Sequence, residues 1–124
     1  MKFILWIDDE PIRFRKLNIH SDVFVFFAHG YEQINHYLNC SRLIFDLIIL
    51  DHDMPLLSGT EVCKLFLMDK SIPLILCSNN PNGRKNQADL LTQLDDDEYK
   101  YPVYIHPITS PRFGDLVDSL LRNK

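Results

Sequence analysis

The chain has 124 residues, enough for one domain and too few for two at the usual size of about 100–150 residues each. Hydrophobic residues make up 46% and charged residues 24%, ordinary globular usage that excludes a disordered segment or a coiled coil. Thirteen Lys and Arg against seventeen Asp and Glu leave a formal charge of −4, so no overall basic footprint exists for duplex nucleic acid.

Cys40, Cys63 and Cys77 form no C-x-x-C pair and no metal-ligand spacing. Each lies in or beside an apolar run, so buried reduced thiols are expected. The apolar run Phe3–Ile7 is too short for a signal-peptide core, and no run reaches the ~18 residues of a membrane span. The expectation is a soluble cytoplasmic protein with no membrane attachment, residues 1–124 forming a single domain.

Short β-rich runs alternate with segments of helical spacing. Strands are expected at Phe3–Ile7, Val23–Ala28, Leu47–Leu50, Leu74–Cys77 and Val103–Ile105. A short helix is expected near Pro11–Leu17 and a second over about Tyr31–Cys40. The third opens on Ser58-Gly59-Thr60-Glu61, which has the spacing of a capping box, and carries Val62, Leu65 and Phe66 on one face. A fourth runs from about Gly83 to Leu94. The fifth has Ser110 as N-cap and Pro111 in its first turn, then an apolar stripe of Phe113, Leu116, Val117, Leu120 and Leu121. Strict strand–helix alternation implies an α/β fold: a single (βα)5 doubly wound parallel sheet, with strand order 2-1-3-4-5. Strands three and four are apolar at almost every position, as strands covered on both faces should be.

Ligands of such sheets bind outside the carboxyl ends of the strands. Those ends carry Asp8-Asp9 after strand one, Asp51 after three, Ser78 after four and His106 after five. Crowded carboxylates repel one another unless a cation neutralises them, and a hard divalent ion is the usual resolution. The plainer alternative makes Asp8 and Asp9 helix caps, and Asp51 and Asp53 a solvated turn. Two acidic clusters on adjacent central strands favour the metal.

The residues at these positions resemble a known family. Leu5-Trp6-Ile7-Asp8-Asp9-Glu10 is similar to the first strand and acidic pair of response-regulator receiver domains, a flavodoxin-like fold. Asp46-Leu47-Ile48-Ile49-Leu50-Asp51-His52-Asp53-Met54-Pro55, with Gly59 following, resembles the receiver phosphoacceptor strand and loop. Pro73–Ser78 resembles the fourth strand with its terminal hydroxyl residue. Ile105-His106-Pro107 stands where receivers place Lys-Pro, a departure that replaces a permanent cation by a group titrating near neutrality. Together with Ser78-Asn79-Asn80-Pro81-Asn82-Gly83-Arg84, these motifs are most similar to the cyclic-phosphate processing branch of receivers, with Cys77 standing where that branch has His.

The resemblance implies Mg²⁺ as cofactor, held by Asp8, Asp9 and Asp51 with the backbone carbonyl of Asp53. It implies Asp51 as phosphoryl acceptor or metal ligand, and Ser78 as donor to a phosphoryl oxygen. Asn79, Gly83 and Arg84 would bind phosphate at a helix N-terminus. His106, with His52, would supply acid–base chemistry. Each residue has a plainer reading: His106 as a strand-end cap, His52 as a water gate, Asn79, Asn80 and Asn82 as turn formers. Trp6 reads as core, and His20, His29 and His36 as surface or edge residues. Phe24, Phe26 and Phe27 read as core or partner-contacting.

Two functions follow. One is a metal-dependent phosphoesterase acting on a cyclic or terminal phosphate of a small molecule, nucleotide or RNA end. The other is a stand-alone receiver, phosphorylated on Asp51, that switches its binding to a partner protein; Tyr104, two positions before His106, suits such a switch.

Overall fold

The computed structural model describes residues 1–8, 22–51, 62, 66, 72–77, 103–105 and 113–122. Five parallel strands form one sheet: β1 (Lys2–Ile7), β2 (Val23–Ala28), β3 (Leu47–Asp51), β4 (Leu74–Cys77) and β5 (Val103–Ile105), in the order β2-β1-β3-β4-β5. This is the doubly wound order expected from the sequence. The helices described in full are α1 (Tyr31–Leu38) and α2 (Phe113–Arg122). The expected helices near Pro11–Leu17 and Gly83–Leu94 lie outside the described residues. Of the third expected helix only Val62 and Phe66 are described.

The central strands explain why the sheet must be covered on both sides. Ile4, Leu5, Trp6 and Ile7 of β1 and Leu47–Leu50 of β3 are all buried. Alternation sorts them onto two faces. Leu5, Ile7, Ile48, Leu50 and Leu74 share one core with Ile34 of α1, Phe45, Val62 and Phe66. Burial of Val62 and Phe66 in one core, four positions apart, matches the helical stripe read from the sequence. Ile4, Trp6, Leu47, Ile49, Ile75 and Cys77 face the other way, against Val117 and Leu121 of α2.

The register of β1 against β3 is tied at its amino end by a reciprocal pair. Asp46 N–H donates to the Phe3 carbonyl at 2.8 Å, and Phe3 N–H donates to Asp46 Oδ2 at 2.9 Å. From there the ladder runs Ile4↔Leu47 through Ile7↔Leu50.

Element ends differ from the sequence expectation in three places. β1 begins at Lys2, whose N–H reaches the Asp22 carbonyl at 3.1 Å. β3 takes in Asp51, which pairs with Cys77 of β4. α1 ends at Leu38 instead of Cys40, because Cys40 N–H turns to the Tyr37 carbonyl at 3.3 Å, a three-residue bond that tightens and closes the helix. No serine or threonine caps α1. Its N-cap is Gly30 in extended backbone, and Gln33 Oε1 accepts the His29 N–H just upstream at 2.6 Å.

β2 is an edge strand and shows it. Phe26 packs among Phe3, Tyr37 and Phe45, while Phe24 leans edge-on to Phe3 with half its surface in solvent. Of the two outcomes open for these rings, Phe26 is a core contact. Among the described residues no helix is long and apolar enough to cross a membrane.

Ile34 is the buried residue of α1, so its truncation tests how the helix is held. Ile34→Ala should lower the urea-unfolding free energy by about 2–5 kcal/mol. Ile44→Ala, at a side chain 78% exposed, should change it by less than about 0.5 kcal/mol. Equal effects at the two positions would contradict the packing described here.

Candidate functional site

The site is built by continuing the β1–β3 ladder one step past Ile7↔Leu50, which brings Asp8 and Asp51 to neighbouring positions at the carboxyl edge. Adjacent strands lie about 4.8 Å apart, so the two residues stand at neighbouring backbone positions. Asp51 alternates onto the side of Leu47 and Ile49, and Asp8 onto the side of Ile4 and Trp6, which is the α2 side of the sheet. Both acids are buried, at 1% and 2% exposure, and they are the buried charged residues among those described.

Burial of an acid requires polar partners. Asp8 N–H donates to the Ala28 carbonyl at 3.1 Å, and the indole Nε1–H of Trp6 donates to Asp8 Oδ2 at 3.3 Å. His29 Nδ1 lies 3.3 Å from the Asp8 carbonyl oxygen. Asp51 has buried Cys77 as its cross-strand neighbour.

Of the site residues singled out in the sequence, Asp8 and Asp51 are described, at the ends of the neighbouring strands β1 and β3. Asp9, His52, Asp53, Ser78, Asn79, Gly83, Arg84 and His106 lie outside the described residues, as do Asn80, Asn82, Cys63 and His20. Among the described residues no group of three or more His, Cys, Asp or Glu side chains could enclose a metal ion. Two hard-oxygen carboxylates at neighbouring positions nonetheless suit part of the shell of a hard divalent cation, which takes oxygen ligands and keeps several waters. These two acids therefore fit part of a Mg²⁺ shell.

Two contributors escaped the sequence reading. His29 was expected to be a surface or edge residue. It is exposed, yet it follows directly on β2 at the same carboxyl edge and contacts the Asp8 backbone. The strand-end logic that found Asp8 and Asp51 applies equally to β2 and would have found it. Trp6 is core as expected, but its N–H also serves the site, which the shared face of residues two apart on a strand would have signalled. Cys40 is half-buried instead of buried, because it sits in the turn after α1. A concavity between the start of β1, Asp22–Val23 and the last turn of α2 lies at the opposite, amino edge of the sheet and is no part of this site.

The burial contrast between thiols is testable by mass-mapped labelling. In folded protein Cys40 should react with an alkylating reagent at least tenfold faster than Cys77, whose reaction awaits opening of the sheet. Comparable rates would show that the β3–β4 edge beside Asp51 is open.

No family model and no curated protein sequence matches the chain. Solved structures do. An adenylate cyclase from Rhodopirellula baltica aligns with a TM-score of 0.71 at 18% identity, over 98% of this chain and 87% of that one. A response regulator receiver domain protein from Clostridium thermocellum aligns at 0.67 and 17% identity, over 99% and 96% of the two chains. The response regulator TrrA from Thermotoga maritima, in complex with Mg²⁺ and beryllofluoride, aligns at 0.59 and 24% identity, over 98% of each. The chain has the fold of the response-regulator receiver domains.

Proposed function

We propose that this chain is a phosphoryl-accepting receiver module in which Asp51 takes the phosphoryl group and the change alters affinity for a partner protein. The observation that supports this most is the position of Asp51, the last residue of a central buried strand, one step past the Ile7↔Leu50 pair after which Asp8 follows on β1. A carboxylate so placed is a fixed nucleophile whose own motion is restricted by the strand that ends in it. In the step itself an Asp51 carboxylate oxygen forms a bond to phosphorus, the bond from phosphorus to the donor's leaving oxygen breaks, and the leaving group departs with that electron pair. The product is an acyl phosphate on Asp51.

Asp8, Asp9, Asp51 and the Asp53 carbonyl would hold Mg²⁺, which when bound offsets the repulsion between these acids and an anionic phosphate. Ser78 would donate to a phosphoryl oxygen, and Asn79, Gly83 and Arg84 would line the phosphate's outer side. His106 would face the phosphoryl group where receivers have Lys, with His52 at the mouth. The likeness in fold supports receivers in general and lends nothing to cyclic-phosphate processing. That enzymatic reading rests on the sequence motifs alone: Trp6–Glu10, Leu50–Asp53, Ser78–Arg84 and His106.

Incubation with Mg²⁺ and acetyl phosphate should add the mass of one phosphoryl group to the intact protein, and Asp51→Asn should abolish the addition. Folded, Mg²⁺-bound protein that stays unmodified would overturn the proposal. Conversion of a 2′,3′-cyclic nucleotide to a monophosphate, followed by phosphorus NMR and lost in Asp51→Asn, would replace it with the enzyme. In thermal unfolding, Mg²⁺ at one hundred times its dissociation constant should stabilise wild-type protein by about 2.7 kcal/mol. Asp8→Asn should lose most of that gain; an undiminished gain would place the ion elsewhere.

A further inference from the structure

The hydrogen bonds at the two ends of β2 fix which of its backbone groups point outward. Lys2 N–H donates to the Asp22 carbonyl and Asp8 N–H to the Ala28 carbonyl, both at 3.1 Å. Backbone groups along a strand turn to alternate sides, so Asp22, Phe24, Phe26 and Ala28 bond to β1. Val23 and Val25 therefore present their N–H and C=O groups at the rim of the sheet. β2 is the terminal strand there, and among the described residues no further strand pairs with it. That rim carries none of the usual protections of an edge. Its sequence is Val-Phe-Val-Phe-Phe-Ala, without charge, proline or glycine, and its register against β1 runs from Val23 to Ala28 without a bulge. On the α1 side Phe24 is 50% exposed, while Val23 and Val25 are half-buried on the α2 side.

We propose that the outer edge of β2 is a self-association surface. The same strand of a second copy of this chain adds to it antiparallel, about a two-fold axis through Phe24. In that register Val23 of each copy stands opposite Val25 of the other, and each such pair exchanges both of its outward N–H···O bonds. Phe24 stands opposite Phe24 of the second copy as a non-hydrogen-bonded pair, the closer kind, so two half-exposed rings cover one another. One patch then serves both copies, as a two-fold contact requires. The charge distribution admits this occupant. The chain carries −4, yet Val23 to Ala28 hold no charge, and the adjoining acid, Asp22, falls opposite Phe26 of the second copy and not opposite the other Asp22. Area sets the strength of the contact. Two paired strands of this length cover less than the about 800 Å² per partner of a standard stable interface, so the dimer is weak and forms as concentration rises.

The test is analytical ultracentrifugation of wild-type protein, Phe24→Lys and Ile44→Lys over a concentration series that reaches the millimolar range. Wild-type protein should pass from monomer to dimer. Phe24→Lys sets like charges opposite one another across the axis and should weaken the dimer at least about tenfold. Ile44→Lys makes the same charge change outside the strands, at a side chain 78% exposed, and should leave the dimer as it is. Wild-type protein that stays monomeric overturns the inference and leaves the edge to an extended segment of another protein. Dimers weakened equally by both substitutions, or by neither, overturn it too. Amide hydrogen exchange of wild-type protein gives a readout that needs no variant. In dilute solution the Phe24 and Phe26 amides, bonded to β1, should exchange slowly and those of Val23 and Val25 quickly. Raising the concentration should slow Val23 and Val25 selectively. Exchange unchanged at both while a dimer forms places the contact elsewhere and contradicts the proposal.

Discussion

The β1–β3 register is the constraint on which the site depends. Phe3 and Asp46 are locked to one another by two hydrogen bonds at the amino end of the pair. Five residues further along each strand stand Asp8 and Asp51, since 3 + 5 = 8 and 46 + 5 = 51. A slip of one residue would carry every β3 side chain to the opposite face and take Asp51 away from Asp8. Such a slip would also drive Ile48 and Leu50 out of the core they share with Ile34 and Phe45. The apolar interior thus enforces the alignment of two acids that lie at its rim, and packing energy becomes the source of site geometry.

Two buried carboxyl groups at neighbouring positions would be a liability in an ordinary core. Here the sheet supplies partial compensation from its own strands. The Ala28 carbonyl, the Trp6 indole and the His29 ring each engage a different atom of Asp8, and all come from β1 or the end of β2. β2 therefore does more than flank the sheet. Its aromatic residues divide the work by parity: Phe24 and Phe26 face the α1 side with Phe3, whereas Phe27 faces the α2 side and braces Trp6.

Much of this was legible in the sequence for identifiable reasons. Buried parallel strands read as unbroken apolar runs, so Leu47–Leu50 and Leu74–Cys77 announced themselves and the strand order followed from alternation. Asp8 and Asp51 stood out because charge directly after such a run is unusual. Less was visible where the cause is tertiary. The Phe3–Asp46 tie joins residues 43 positions apart, and the Asp8–His29 contact spans 21, distances at which no local spacing leaves a mark. The early close of α1 depends on a turn bond from Cys40, where the amphipathic pattern alone runs on. Asp51 looked like the first loop residue because it is charged, yet its backbone still pairs in the ladder.

The most direct test of Asp51 as the phosphoryl acceptor beside a cation-holding Asp8 is a crystal structure grown with Mg²⁺ and beryllofluoride. The expected result is beryllofluoride bonded to an Asp51 carboxylate oxygen, with Mg²⁺ contacting both Asp8 and Asp51. Beryllofluoride at another residue, or a metal that touches neither acid while the sheet is intact, would contradict it.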